Sequence, residues 1–479
     1  MESASTLPNV SFRQEPRSGQ KAVFDQWAAK DSLNIQLPTG YGKTFTACGC
    51  YAIKRAQNKV NRVLFVFPSK GQLDQFYRDC RSNFEDVGLR DIGHPRDIGF
   101  ERHVSIKKHR RGESEVYCVT IQALQAGDCF SIVQDLMASG QWMLVVDEYH
   151  HYGLDKAWGQ KIMSLPRTCF LAMSATPHRP GNDGAFGGPD VRIGYRDAAG
   201  ENAVKPLRAH AYEYLVDAVD SEGNMVTYTT GELLREVSEH DDSGRDLTKA
   251  DDATIARKLD DYAIARQMRW SGKYISPLIR TPIERLLTNR SETGYALQAI
   301  VGAMSVSHAQ MLCEQINRWY GDTLKVDWVG TGPNGRSDVE NKKVLEAFCP
   351  PKGPDGERRP TVDILVHVGM AGEGLDSVLV SEVIHVNPAN KNNSNDQENG
   401  RAARYLPGII GHINFDSSSA YVAYRGSKIM DAMDGEKPSD VDEDDDQEEA
   451  DADFMFRDLP EEPVIRISNV ELTNIDSGD

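Results

Sequence analysis

Over the first 180 positions, apolar residues come in short unbroken runs. Leu33–Leu37, Val63–Phe67, Val116–Val119, Trp142–Val146 and Cys169–Met173 are rich in Val, Leu, Ile or Phe, and each is followed by turn residues or a polar motif. Unbroken rather than alternating apolarity suits parallel strands buried on both faces. Between them, Thr44–Ala56 and Gly71–Asn83 have helical length. The pattern predicts a doubly wound α/β domain over residues 1–180.

From 181 to 280 the pattern weakens into Gly- and Asp-rich stretches with short strand-like pieces, followed by a predicted amphipathic helix over Ala250–Met268. This region reads as an insertion or bridge. Thr281-Pro282 reads as an N-cap followed by proline at the first helical position. A second α/β pattern occupies 281–430. Its apolar runs are Leu297–Met304, Val362–Val368 and Val380–Val386, and its helical segments are His308–Tyr320 and Asp338–Phe348.

Charge changes the picture at the far end. The chain of 479 residues carries a net −18, but Asp431–Asp479 alone carries −16, which leaves the body near neutral. A near-neutral body can still hold a basic groove. Residues 431–479 are expected to be an acidic, largely disordered tail. The tail would solubilise, occupy a nucleic-acid groove or recruit a basic protein partner, and truncation near Met430 would test the second role. Pro463–Leu472 regains apolar character and reads as a short docking segment. No run approaches 18 apolar residues and the N-terminus lacks a signal-like pattern, so the expected setting is cytoplasmic, with no membrane partner. The eight cysteines are scattered without a Cys-x-x-Cys pair, which fits reduced thiols and no zinc site.

Two segments carry chemistry. Leu37-Pro38-Thr39-Gly40-Tyr41-Gly42-Lys43-Thr44 follows a predicted strand and opens a predicted helix, the context that a phosphate loop needs. Thr39, Gly40 and Gly42 would let backbone N–H groups turn onto phosphate oxygens at a helix N-terminus. Lys43 would contact the β- and γ-phosphates, and Thr44 would ligate Mg2+. Leu37 stands where the strict pattern has glycine. Val145-Val146-Asp147-Glu148-Tyr149-His150 puts two acids at the end of an apolar strand, on the edge where open α/β sheets bind ligands. Asp147 would hold the Mg2+ shell, and Glu148 would activate the attacking water.

These two segments resemble motifs I and II of superfamily 2 helicases in their Asp-Glu-x-His form, and other segments follow in the family's order. Arg17-Ser18-Gly19-Gln20 resembles the adenine-recognition element, with Gln20 as its glutamine and Gly19 where an aromatic is usual. Pro68–Gln75 resembles motif Ia, and Thr120–Leu124 resembles the next strand-contacting segment. Ser174-Ala175-Thr176 matches motif III, and its continuation through Arg179 is similar to the motor subunits of restriction enzymes. Gly369–Asp376 resembles motif V. Gln397-Glu398-Asn399-Gly400-Arg401-Ala402-Ala403-Arg404 matches motif VI.

The resemblance implies two RecA-like parallel-sheet domains in tandem, with ATP and Mg2+ as cofactors. It implies Gly374 and Asp376 at the nucleotide, Arg401 and Arg404 as catalytic arginines, and His150, Ser174, Thr176 and Gln397 as coupling residues. Ser69, Lys70, Thr120, Ser305 and Gly372 become candidate contacts to the nucleic-acid backbone, which position without reading sequence. The run Lys107–Arg111 reads equally as path lining or as a solvated surface. The expected function is an ATP-dependent helicase or translocase, with DNA favoured over RNA by analogy alone. The alternatives are an ATP-dependent nucleic-acid-binding switch without unwinding, or an RNA helicase.

Overall fold

The computed structural model describes residues 10–98, 114–126, 128–149, 157–175, 188–219, 223–230, 264–332, 334–351, 353, 358–369, 375, 377–387, 398–416 and 466–478. The chain divides into two compact units, Met1–Ala203 and Val204–Asp479. The 181–280 stretch is therefore not a separate bridge: its front part closes the first unit and the rest belongs to the second.

The first unit holds strands β1 (Ser32–Gln36), β2 (Arg62–Phe67), β3 (Arg96–Asp97), β4 (Val116–Thr120), β5 (Trp142–Asp147), β6 (Cys169–Ser174) and β7 (Val191–Arg192). Its helices are α1 (Ser18–Ala29), α2 (Lys43–Ala56), α3 (Lys70–Asp86), α4 (Ile121–Gln125), α5 (Cys129–Met137), α6 (Ala157–Ser164) and α7 (Tyr195–Gly200). The sheet order is β3-β4-β2-β5-β6-β1-β7, and every pair is parallel. All five apolar runs are strands of this sheet, and β4 and β6 are buried along their whole length. Register sets the functional edge. Gln36 pairs with Ser174, Asp147 with Met173, Val66 with Val146 and Phe67 with Thr120, so these strands end at one level.

The second unit holds β8 (Leu207–Val219), β9 (Met225–Thr229), β10 (Gln298–Gly302), β11 (Val326–Val329), β12 (Ile364–His367), β13 (Val380–His385), β14 (Gly411–Asp416) and β15 (Arg466–Gly478). Its helices are α8 (Gly272–Thr293), α9 (Val306–Tyr320) and α10 (Asp338–Phe348). The order is β11-β12-β10-β13-β14-β8-β15. Strands β8 to β14 in this series run parallel, β15 closes the edge antiparallel to β8, and β9 also pairs antiparallel with β8. Two α/β units with mainly parallel sheets are the expected fold class.

Three expectations need correction. The helix expected to start at Thr281-Pro282 starts ten residues earlier, at Gly272, with Pro277 and Pro282 inside it. Its buried stripe Tyr274, Ile275, Leu278, Ile279, Pro282, Ile283 and Leu286 runs across both prolines, so packing outweighs two missing N–H donors. The tail assignment for 431–479 fails at its end, because Arg466–Gly478 is a sheet strand with Val470 buried. The docking segment is therefore an integral edge of the second sheet. A long strand, β8, also stands inside the supposed insertion, between β14 and β15.

Several buried polar pairs are set within the apolar core of the second unit. Arg285 of α8 donates from Nε and Nη2 to the two oxygens of Glu382, each at 2.8 Å, and from Nη2 to Asn414 Oδ1 at 2.8 Å. Arg269 is fully buried against Asp416 at 2.7 Å, and the Tyr274 hydroxyl donates to the same carboxylate oxygen at 2.6 Å. His210 and His412 meet through their ring nitrogens at 3.0 Å. Burial first, then the Arg285 charge, pushes their pKa values down to about 3 and about 2.

Candidate active site

The glycine-rich turn joins β1 to α2. Gly40 and Gly42 have φ of +87° and +100°, a region closed to most side chains. A Cβ on Gly42 would also lie 2.7 Å from Gln20 Nε2. Gly42 caps α2, and the first helical bond is Thr46 N–H to the Gly42 carbonyl at 3.0 Å. The N–H groups of Lys43, Thr44 and Phe45 precede that bond, so the helix gives them no partner and they form a ready anion site. The Thr44 side chain lies in the exposed first turn.

The turn is held from behind by the start of α1. Gln20 accepts the Arg17 N–H at 2.9 Å and donates to the Tyr41 carbonyl at 3.1 Å, and it is only 4% exposed. Arg17 Nη1 donates to the same carbonyl at 2.8 Å. The Tyr41 hydroxyl accepts the Gly19 N–H at 3.0 Å and donates to Glu201 at 2.9 Å. A Cβ on Gly19 would come within 2.6 Å of the Ile193 side chain and 2.8 Å of the Tyr41 hydroxyl. The position that usually holds an aromatic is therefore glycine because Tyr41 and Ile193 occupy that space.

Across the sheet edge, Lys43 forms an ion pair with Glu148. The other Glu148 oxygen accepts from Ser174 Oγ at 3.1 Å and from the Ala175 N–H at 3.4 Å. Glu148 takes a φ of +48°, and its N–H donates to Asp147 Oδ1 at 3.1 Å. A non-glycine residue in this region marks local strain. Here the strain turns the carboxylate of a 7% exposed residue toward Lys43 rather than toward water. Residues far apart in sequence thus converge: Lys43 from the start of α2, Asp147 at the end of β5 with Glu148 just after it, and Ser174 from β6.

Three of the candidate nucleic-acid hydroxyls share one local role. Ser69, Thr120 and Ser305 are the N-caps of α3, α4 and α9, accepting from Gln72, Ala123 and His308 N–H groups at 3.4, 3.2 and 3.2 Å. Each helix follows a strand end, so each presents its N-terminus at the C-terminal edge of the sheet of its own unit. Lys70 is engaged by Asp97 at 2.7 Å and Asp74 at 3.1 Å.

In the second unit, Arg401 and Arg404 lie in and just after the helical residues 398–402. Both donate to the Leu375 carbonyl, at 2.6 and 3.2 Å. Glu398, one turn earlier, meets His367 at 2.9 Å. The sequence reading missed Tyr41, Glu201, His367 and Glu398 as site-shaping residues. Tyr41 and Glu398 carried a signal, since they lie within the phosphate-turn and motif VI segments, whereas Glu201 and His367 carried none. His150, Thr176, Gly372, Gly374, Asp376, Gln397 and the Lys107–Arg111 run lie outside the described residues.

Comparison with known proteins places these features. Residues 13–179 match the family model described as type III restriction enzyme, res subunit. An 85-residue stretch is 35% identical to Superkiller complex protein 2 of Mus musculus, covering 17% of this chain, and the same holds for the Homo sapiens protein. The stretch spans only 7% of the length of those relatives. Among solved structures, a fragment of a putative HsdR subunit of a type I restriction enzyme from Vibrio vulnificus YJ016 aligns at 17% identity and TM-score 0.51. That alignment covers 90% of this chain and 68% of the other. The DUF1998 helicase MrfA, bound to DNA and AMPPNP, aligns at 15% identity and TM-score 0.50, covering 85% of this chain and 50% of that one. At such identities the structural likeness is one of fold.

Proposed function

We propose that this chain, whose residues 13–179 match the res-subunit family model, is a helicase-like P-loop protein of superfamily 2 that hydrolyses ATP to move along or remodel nucleic acid, DNA rather than RNA. The observation that carries the proposal is the convergence of Lys43, Asp147, Glu148 and Ser174 at one sheet edge, beside a glycine turn that caps a helix whose first internal bond is made only by Thr46.

The residues fit a triphosphate with Mg2+. The first-turn N–H groups of α2 and the Lys43 ammonium match phosphate oxygens, and the Thr44 hydroxyl and Asp147 carboxylate match a hard cation. Bound there, Mg2+ would neutralise phosphate charge. Lys43 would leave Glu148 for the γ-phosphate, and the freed Glu148 carboxylate would accept a proton from the attacking water. Ser174, hydrogen-bonded to that carboxylate, would register its movement. Gln20, spent on the turn itself, would report base occupancy through the Tyr41 carbonyl. Arg401 and Arg404 would stabilise transition-state charge.

The helix N-termini capped by Ser69, Thr120 and Ser305 would bind backbone phosphates without reading sequence. DNA is favoured because MrfA, similar in fold, is bound to it. The test is ATP turnover by wild type and Lys43→Ala, with single-stranded, duplex, forked and RNA cofactors. DNA-stimulated turnover that Lys43→Ala abolishes, together with strand displacement or translocation, supports the reading. Stimulation without strand movement supports the switch, and stimulation by RNA alone overturns the DNA assignment.

A further inference from the structure

Strands β12, β10 and β13 lie side by side, and their registers align His367, Gly302 and His385 at one level. Gly302 has no side chain, so a gap opens between the two imidazoles. The carboxylate of Glu398 fills that gap. One oxygen accepts from His367 Nε2 at 2.9 Å and lies 3.9 Å from His385 Nδ1. A Cβ on Gly302 would come 3.3 Å from that oxygen and 2.9 Å from Asn387 Oδ1. The next residue adds a second tie, because His385 Nε2 donates to Asn399 Oδ1 at 2.8 Å.

This carboxylate is surrounded by positive and donating groups. Burial alone would raise its pKa, but His367, His385 and Arg401 outweigh burial and hold it down at about 2. Arg401 sits one helical turn further along, and its Nη1 donates to the Leu375 carbonyl at 2.6 Å. The short helix over residues 398–402 is therefore seated at its front by Glu398 and Asn399 and held at its back by the arginines.

We propose that Glu398 is a positioning residue, seated in the His367–Gly302–His385 socket, that fixes the orientation in which Arg401 and Arg404 meet phosphate. The inference rests on the proposed ATPase reading. Glu398 does not touch the reacting atoms. It sets where two guanidinium groups point, and a misplacement of about 1 Å in such groups can cost about 100-fold in rate.

The experiment measures kcat and KM for ATP, with thermal unfolding alongside, for wild type, Lys43→Ala, Glu398→Ala, Glu398→Gln and Gly302→Ala. Glu398→Ala is expected to lower kcat about 10- to 100-fold while KM for ATP stays within about 3-fold. Glu398→Gln keeps an acceptor for the His367 N–H and is expected to recover most of that loss. Gly302→Ala intrudes on the socket from the opposite side, so it is expected to lower kcat in the same way even if Glu398→Ala fails to fold. A folded Glu398→Ala or Gly302→Ala enzyme with wild-type kcat overturns the inference. So does a Glu398→Gln enzyme as slow as Glu398→Ala. The underlying reading fails separately, if wild type turns over no ATP or Lys43→Ala turns it over equally well.

Discussion

The Lys43–Glu148 ion pair makes nucleotide binding a competition. Lys43 cannot hold a γ-phosphate and Glu148 at full strength together, so on the proposed ATPase reading the nucleotide displaces the pair. A hydrogen bond to a charged group contributes roughly 1.5–3 kcal/mol, and the second charge of an ion pair adds a Coulomb attraction of roughly 1 kcal/mol. Glu148→Gln keeps a neutral acceptor beside Lys43, turns its amide nitrogen as a donor toward Ser174 Oγ and gives up the Ala175 N–H, so it lowers the cost of displacing the pair by roughly 0.5–2 kcal/mol. ATP is then expected to bind about 2- to 30-fold more tightly. Turnover is expected to fall about 100- to 10,000-fold, because the amide cannot take a proton from water. Titration of a fluorescent ATP analogue with Mg2+ reads the first effect, and single-turnover hydrolysis reads the second. A folded Glu148→Gln protein that binds ATP no more tightly than wild type would show that the pair does not gate the site. Hydrolysis within about 3-fold of wild type would remove Glu148 as the base.

Other outcomes follow from the same geometry. Lys43→Ala is expected to lower kcat by at least about 100-fold, measured in the same single-turnover assay. Arg401→Gln and Arg404→Gln are each expected to lower kcat by about 1,000-fold or more if they act as arginine fingers, with ATP affinity measured in parallel. The second unit is expected to be acid-sensitive. The depressed His210 and His412 values mean that the folded state holds these rings neutral, so their contribution is complete above the ordinary pKa of 6.5 and is lost as pH falls from there toward the folded values. By pH 5 each ring is expected to cost about 2 kcal/mol. Urea unfolding between pH 7.5 and 5 should show this slope, flattened in His412→Asn. Asp416→Asn leaves Arg269 buried without its counter-charge and is expected to destabilise the unit by about 3–5 kcal/mol in urea unfolding.

The first unit was legible because its strands are buried on both faces and therefore read as unbroken apolar runs. The phosphate turn was legible because its chemistry is local: Gly40, Gly42, Lys43 and Thr44 are neighbours in sequence. The second unit was harder for a physical reason. Gly411–Asp416 includes His412, Asn414 and Asp416, yet every residue of β14 is buried. His210 of β8 meets His412, Arg285 of α8 and Glu382 of β13 meet Asn414, and Arg269 with Tyr274 meets Asp416, and no local window contains both halves of such a pair. Long-range partners also explain why Gln20 was recognised while its setting was not. The Tyr41–Glu201 contact that stiffens the turn joins residues 160 positions apart. Ser69, Thr120 and Ser305 were visible as hydroxyls after apolar runs, and their capping role follows from that same placement.

One consequence of β15 bears on how the acidic stretch should be handled. Because Arg466–Gly478 hems the second sheet along β8, cutting the chain at Met430 would remove charge and architecture together, leaving an open strand edge prone to self-association. Internal excision avoids the confusion. Asp416 aligns with Tyr212 and Arg466 with Val219 on β8, a separation of roughly 25 Å once two strand spacings are included. A flexible splice of about a dozen residues would span it, so electrostatic effects of the acidic stretch could be measured on a protein whose seam is intact.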